Sequence, residues 1–436
     1  MPRRNIYLLV IISAVSLVCY LNVNRYGRIL TYAMEQIDRR YLEEIDRAEL
    51  FEGAMEGMIG RLDDYSSYIN SKAVEQFQET LDQKFGGVGM EVSLDPKTKQ
   101  LTVLSPIVGT PAYEAGIRAG DKILKIDGQT TQGLSLRDAV DRTRGKPGQP
   151  VVLTILHEGD NKPVDIEVVR DIIRVETVLG DTRNADASWN YFLAGHDRIG
   201  YLRINTFGEE TPEEMKRALK WLTEHGMRGL ILDLRNDPGG LLAAAVEVSD
   251  LFVASGVIVT TRRRDGHVEE TYEATGDGTY TGFPMAVLVN QYTASASEIV
   301  AACLQDHARA VIVGQRTWGK GTVQEVINLE SGQGMIKLTT ASYWRPTGKN
   351  IHHGKDTPDD GDWGVMPDPD CEVVVEGNKL TELLRWRLRR DVYKPAENNG
   401  PANHKQPPVN DKPDFSVDPQ LQRAIEYIEK AIAEKK

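Results

Sequence analysis

Two strand-to-helix turns and one glycine-flanked lysine hold the residues whose types and spacing could do chemistry. The first turn is Asp233-Leu-Arg-Asn-Asp-Pro-Gly-Gly240. An apolar strand ends there, two glycines follow, and an apolar helix begins. Glycine lets a backbone approach a ligand closely. Free N–H groups at a helix start attract an anion or a developing oxyanion. Taken alone, the turn reads equally well as a tight strand-to-helix connection. The second turn is Asn290-Gln-Tyr-Thr-Ala-Ser-Ala-Ser-Glu298. A serine at such an elbow sits beside free helix amides and suits a nucleophile. Ser297 and Glu298 also suit ordinary helix capping. The G-x-S-x-G elbow is absent, so an ordinary α/β-hydrolase is not supported.

A hydroxyl nucleophile needs a base. None of the eight histidines lies in a triad motif. His352-His353 reads as a surface loop rather than a metal site, because no carboxylate or cysteine spacing completes a ligand set. Lys320, in Gly314-Gln-Arg-Thr-Trp-Gly-Lys-Gly-Thr-Val-Gln324, is the other option. Burial beside Trp318 would favour a neutral amine; a solvated loop lysine is the plainer reading.

The elements that must position these residues follow from patterning. Gly229–Leu234, Met285–Asn290 and Ala310–Gly314 are short apolar runs that read as buried strands. Between them, Gly240–Phe252 and Ser297–His307 read as helices, which predicts a mainly parallel sheet within residues 198–345, in a core domain of residues 174–393. Residues 85–173 are different. Gly89–Leu94, Leu101–Leu104, Lys122–Ile126 and Val151–Leu156 read as strands separated by turn signals, with one helix over 135–142 capped by Ser135. Residues 29–84 have helical spacing, interrupted at Asp63-Asp-Tyr-Ser-Ser-Tyr68. Residues 394–418 hold five prolines and read as a linker before an amphipathic C-terminal helix in 419–436.

Residues 1–28 read as a membrane anchor or export signal. Arg3 and Arg4 precede an uncharged run, Ile6 to Leu21, with no clean cleavage site after it. The expected arrangement is an anchored or exported protein whose folded part lies on the periplasmic or extracytoplasmic side.

The chain has 436 residues, 40% apolar and 27% charged, as in ordinary globular proteins. A polytopic membrane protein and a wholly disordered chain are excluded. The charge sum, 52 − 64 = −12, lacks the basic footprint of a nucleic-acid binder. Three cysteines make no disulfide framework, and neither C-x-x-C nor H-E-x-x-H occurs, so no metal or other cofactor is expected.

Four ordered motifs resemble the C-terminal processing peptidases, also called tail-specific proteases. Gly86-Gly-Val-Gly-Met, with Ser105-Pro-Ile-Val-Gly-Thr-Pro-Ala-Tyr-Glu-Ala-Gly-Ile-Arg-Ala-Gly-Asp-Lys-Ile-Leu, resembles the family's PDZ domain. Asp233-Leu-Arg-Asn-Asp-Pro-Gly-Gly resembles its glycine turn, with Asp237 and Pro238 where Asn is often found. Thr293-Ala-Ser-Ala-Ser-Glu resembles the nucleophile motif, with Thr293 where Ser or Gly is usual. The segment around Lys320 resembles the base motif. The resemblance spans about residues 30 to 375 and implies an α/β multidomain protein: a crotonase-like βα protease core, an inserted PDZ domain and helical termini.

It further implies Ser295 as nucleophile, Lys320 as general base 25 positions later, and Gln324 as the residue that orients the lysine. The Ala296 amide, with that of Gly239 or Gly240, would form the oxyanion hole. Gly86, Gly87, Val88, Gly89 and Met90 would bind a substrate's terminal carboxylate and last side chain while the peptide adds a strand. A PDZ fold that only gates the active site is the other reading. The implied partners are protein or peptide substrates with free C-termini, an adaptor or partner lipoprotein, and a second copy of the chain. Two other functions compete: a non-catalytic PDZ scaffold on a protease-like fold, and an acyl-CoA-type enzyme.

Overall fold

The computed structural model describes residues 25–95, 97–184, 188–392 and 414–434. The apolar run at 6–21 and most of the proline-rich stretch lie outside them. Among the described residues, no helix is long and apolar enough to cross a membrane.

The chain divides into two units, one of residues up to Val74 with Gln324–Thr339, the other of Glu75–Val323 with Thr340 onward. In the first unit, helix α1 (Arg25–Arg40) and helix α2 (Arg47–Ile59) precede strand β1 (Ser67–Ile69). Asp46 caps α2 by accepting the Ala48 N–H at 2.8 Å. The interruption before β1 is built by Asp63, whose carboxylate accepts the amides of Tyr65 and Ser66 at 2.8 Å. Those bonds give the backbone an alternative to helix. β1 then pairs antiparallel with Met335–Lys337.

The second unit begins with an antiparallel domain. Strand β2 (Lys84–Gly87) leads into β3 (Met90–Leu94), β4 (Leu101–Pro106) and β5 (Lys122–Ile126). Helix α3 (Leu136–Thr143) is capped by Ser135, whose hydroxyl accepts the Asp138 N–H at 3.1 Å. Strands β6 (Pro150–Leu156), β7 (Val164–Val169) and β8 (Asp171–Arg174) follow. The sheet order is β3-β4-β5-β6-β7, so β3 is an edge strand, and α3 lies beside it. β2 pairs with β8 from Lys84↔Arg174 to Gly87↔Asp171. That ladder brings the chain's entry and exit together, as an inserted domain requires.

The rest of the unit is a layered α/β core. Strand β9 (His196–Ile204) leads to helix α4 (Thr211–Glu224), strand β10 (Gly229–Asp233) and helix α5 (Leu242–Asp250). Strand β11 (Met285–Val289), helix α6 (Ala296–Asp306) and strand β12 (Val311–Gly314) continue the alternation. β9, β10, β11 and β12 are parallel neighbours in that order. Both faces are covered, so the strands are apolar throughout. Leu202, Leu230, Leu232, Val287, Val289 and Ile312 face a core with α4, α5 and α6. The alternate residues Tyr201, Ile231, Ala286, Leu288 and Val313 face a second core, completed by α7 (Gly377–Asp391) and α8 (Pro419–Glu434). Gly229 lets α8 approach: a side chain there would meet the Ile428 Cγ2 at 2.4 Å.

α8 is also tied to the end of β10 by buried charge. The Arg235 guanidinium donates to Asp233 Oδ1 at 2.9 Å and to both Asp418 carboxylate oxygens at 2.8 Å. Tyr201 donates its hydroxyl to Asp233 at 2.6 Å. Burial opposes ionisation of Asp233, yet Arg235 holds it below the usual carboxylate range. Removing one member of such a set leaves a buried charge undercompensated, at about 3–5 kcal/mol. Asp418→Asn is therefore expected to lower stability by about that amount, read as a drop in the urea midpoint. A midpoint equal to that of wild type would show that α8 docks independently of the ion pair.

Candidate active site

The two turns picked out by sequence fold against each other. After β11, Thr293 donates its hydroxyl to Leu234 O at 2.8 Å and accepts the Asn290 N–H at 3.0 Å. Asn290 and Asn236 exchange hydrogen bonds at 3.0 and 3.1 Å. The Ala294 N–H reaches Asp237 O at 3.0 Å. Gly239 lies so close to the elbow that a side chain would stand 2.6 Å from Ala294 O and 2.8 Å from both Ala296 N and Ser295 Cβ. No residue but glycine fits that approach.

Ser295 caps α6 with φ 60° and ψ −118°, a conformation that side chains rarely adopt. Such strain persists only where the surroundings enforce it. Here the enforcement is Glu298. Its carboxylate accepts the Ser295 N–H at 2.8 Å through Oε2. The same oxygen accepts the Lys320 N–H at 2.8 Å, while Oε1 accepts the Gly319 N–H at 2.7 Å and the Thr317 hydroxyl at 2.5 Å. Glu298 is fully buried. Burial pushes its carboxyl up to about 7, against the four donors that favour the charged form.

One side chain thus holds the backbone of the serine elbow and that of the lysine loop together. The capping role expected of Glu298 is half of what it does. The Ser-x-x-Glu spacing signals the contact with Ser295; nothing local signals the contacts across 19 to 22 positions.

The lysine loop is walled on its other side by residues 351–353 and 363. The His353 N–H donates to Gly319 O at 2.8 Å, and a side chain at Gly321 would meet His352 N at 2.3 Å. Lys320 is half-buried. Gln324 lies in the first unit, where its amide donates to Thr339 Oγ1 at 3.3 Å and Thr339 donates to Asp63 at 3.2 Å.

The oxyanion candidates separate. The Gly239 N–H is given to Asp237 Oδ1 at 2.8 Å. Ala296 opens α6, so its amide has no acceptor one turn back. Gly240 follows with φ 156° against Phe207, where a side chain would meet Phe207 O at 2.1 Å.

The candidate peptide-binding residues sit in the antiparallel domain. Gly86 and Gly87 belong to the β2–β8 ladder, and Gly86 O accepts the Gly145 N–H at 3.2 Å. Val88 is buried in the domain's core. Gly89 has φ 80° and lies against Thr110, and Met90 starts the edge strand β3. Among the described residues, no group of three or more His, Cys, Asp or Glu is placed to hold a metal ion.

Comparison with known proteins identifies the family. Residues 198–368 match peptidase family S41, residues 102–156 match the PDZ domain, and residues 27–73 match the activating protease CtpB N-terminal domain. A carboxy-terminal-processing protease of Bartonella bacilliformis is 40% identical over 344 residues, 78% of this chain and 75% of the relative. The chain belongs to the carboxy-terminal processing proteases of peptidase family S41. Its chemistry is that of a serine-type peptidase, and its antiparallel domain is a PDZ domain. The carboxyl-terminal-processing protease of Synechocystis sp. is 38% identical over 327 residues, 74% of this chain and 70% of the relative. The solved photosystem II D1 C-terminal processing protease is similar with 29% identity and a TM-score of 0.45, covering 80% of this chain and 94% of that one.

Glu298→Gln keeps the shape but sets an amide NH₂ against backbone donors. It is expected to lower kcat by about a hundredfold through misplacement of the elbow and the lysine loop. Steady-state cleavage of an unstructured protein, with circular dichroism as the fold control, checks this. Wild-type kcat in a folded variant would remove Glu298 from the positioning of the site.

Proposed function

We propose that this peptidase is a Ser–Lys endopeptidase that cleaves protein substrates at or near their C-termini. The observation that carries the reading is the single buried Glu298 carboxylate that holds the amides of Ser295 and Lys320. A strained serine at a helix start, tied to a lysine loop, is an arrangement a scaffold has no use for. That weighs against the alternative of a non-catalytic PDZ scaffold.

In this mechanism neutral Lys320 accepts the Ser295 hydroxyl proton as the oxygen attacks the scissile carbonyl. The negative charge that develops on the carbonyl oxygen is met by the Ala296 and Gly240 amides. Gly239 positions that turn rather than donating, because its N–H already serves Asp237. Collapse of the tetrahedral species expels the amine, which takes its proton from Lys320. Water then hydrolyses the acyl-enzyme by the same route. The role of orienting the lysine is given to Gln324 by the family resemblance alone. The alternation of parallel strands and helices around the two turns supports a crotonase-like description of the core.

The PDZ domain recruits the substrate or gates the active site. A substrate tail adds to the exposed edge of β3 beside α3. With Gly86 and Gly87 engaged in the ladder, the turn Val88-Gly89 and Met90 are left to meet the terminal carboxylate and last side chain. The uncharged run at 6–21 supports anchorage or export, with the catalytic part outside the cytoplasm. Delivery of substrate by a lipoprotein or adaptor, and pairing with a second copy, fit the same setting.

Casein cleavage tests the dyad. Ser295→Ala and Lys320→Ala are each expected to lose at least about a thousandfold in rate, and Gln324→Ala about tenfold. Undiminished cleavage by both dyad variants would reject the mechanism. For the PDZ domain, a peptide with a free, apolar C-terminus is expected to bind about tenfold more tightly than its amide, the worth of one charge-assisted contact. Equal affinities by calorimetry would leave the domain a gate only.

A further inference from the structure

The mechanism above gives no role to Asp237, a fully buried carboxyl inside the glycine turn. Its backbone carbonyl accepts the Ala294 N–H at 3.0 Å and the Ser297 hydroxyl at 3.2 Å. Its Oδ1 accepts the Gly239 N–H at 2.8 Å. Its Oδ2 is buried and has no hydrogen-bond partner. This one residue therefore touches the elbow through its main chain and the glycine turn through its side chain. Gly239 in turn is pressed against Ser295 and Ala296. The carboxyl sets the peptide that precedes the Gly240 amide.

No counter-charge serves it among the described residues. The ionisable groups on the elements packed around it are occupied elsewhere. Asp233 and Arg235 on its own turn pair with each other and with Asp418. Glu298 on α6 is held by the serine elbow and the lysine loop, the latter carrying Lys320. Burial is the largest influence on Asp237 and pushes its carboxyl up to about 8, with the Gly239 amide and Ser297 acting the other way. Burial thus favours the uncharged acid, whose proton gives the orphan oxygen the character of a hydroxyl. Loss of that proton would leave a buried charge with only the Gly239 amide and the Ser297 hydroxyl to meet it. Movement of the turn toward water would relieve it.

We propose that Asp237 is a positioning residue whose protonated carboxyl holds the Gly239–Gly240 turn against Ser295, and whose ionisation sets the alkaline limit of catalysis. The proposal rests on the Ser–Lys reading. It assigns the alkaline fall to Asp237 and leaves the acid side of the profile to the other groups of the site, Glu298 among them. Asparagine keeps the Oδ1 acceptor and cannot ionise, so it should preserve the turn and remove the fall.

The test is kcat and KM for a fluorogenic peptide from pH 6 to 10, with the full chain as wild type, Asp237→Asn, Asp237→Ala and Ser295→Ala. Wild-type kcat is expected to fall by about tenfold per unit above the Asp237 pKa, at near-constant KM. Asp237→Asn should keep wild-type kcat at pH 7 within about threefold and show no alkaline fall. Asp237→Ala, which takes the acceptor from Gly239, should lose at least about tenfold in kcat at every pH.

Stability should respond with a definite sign. The folded Asp237 keeps its proton up to about 8, whereas an unfolded aspartate ionises near 4. Wild-type stability thus loses this contribution as pH rises through that window, and Asp237→Asn lacks the loss.

An alkaline fall shared by wild type and Asp237→Asn would overturn the proposal. So would a folded but inactive Asp237→Asn at pH 7. If that variant does not fold, carboxyl-¹³C-aspartate NMR of wild type decides instead: one protonated aspartate at pH 7 that titrates near pH 8 is expected, and its absence refutes the assignment. Wild-type activity in Ser295→Ala would defeat the Ser–Lys reading itself, a separate outcome.

Discussion

Four donors converge on the two oxygens of Glu298, and three of them are backbone amides, one from the serine elbow and two from the lysine loop. A buried carboxylate is costly unless its lone pairs are met. Here they are met by Ser295, Gly319, Lys320 and Thr317. Satisfying the carboxylate fixes the distance between two loops that come from different strands. Much of the surrounding architecture maintains that arrangement. β11 and β12 are adjacent in the sheet, so their C-terminal ends deliver the serine elbow and the lysine loop to the same edge. Ligands in open parallel sheets gather at such carboxyl ends.

The glycine turn at the end of β10 enters from the other side of β11. It is held by side chain to main chain bonds, Thr293 to Leu234 and Asn290 to Asn236, rather than by a ladder. Such bonds fix a strained backbone without closing it off from substrate. Behind it, the Asp233–Arg235–Asp418 cluster anchors the turn to α8. The network carries well-placed charges and leaves one conspicuous gap at Asp237 Oδ2.

The elements around the site were legible because their periods are clear. The apolar runs at 229–233, 285–289 and 311–314 are the parallel strands, and Ser135 caps its helix as its position suggested. The serine elbow was legible as a site of small hydroxyl residues before a helix. The hold of Glu298 on the lysine loop and the pairing of Asp418 were not, because each acts on backbone or charge far from it in sequence. Asp418 pairs across 183 positions. The glycines at 86 and 87 looked like a free anion-binding loop, a pattern indistinguishable by composition from a strand that needs a close neighbour. The structure puts them in a ladder. Likewise the choice between Gly239 and Gly240 as an amide donor turns on a single hydrogen bond to Asp237 that no spacing rule encodes.

The buried pairing of Arg235 with Asp418 also orders events in time. A ribosome makes Arg235 long before it makes α8, and chains fold from the N-terminus as they emerge. Until α8 has been made, Arg235 lacks its second carboxylate, and the face of the sheet under Tyr201, Ile231 and Leu288 lacks its cover. The turn beside the serine elbow therefore reaches its final form only once α8 has docked.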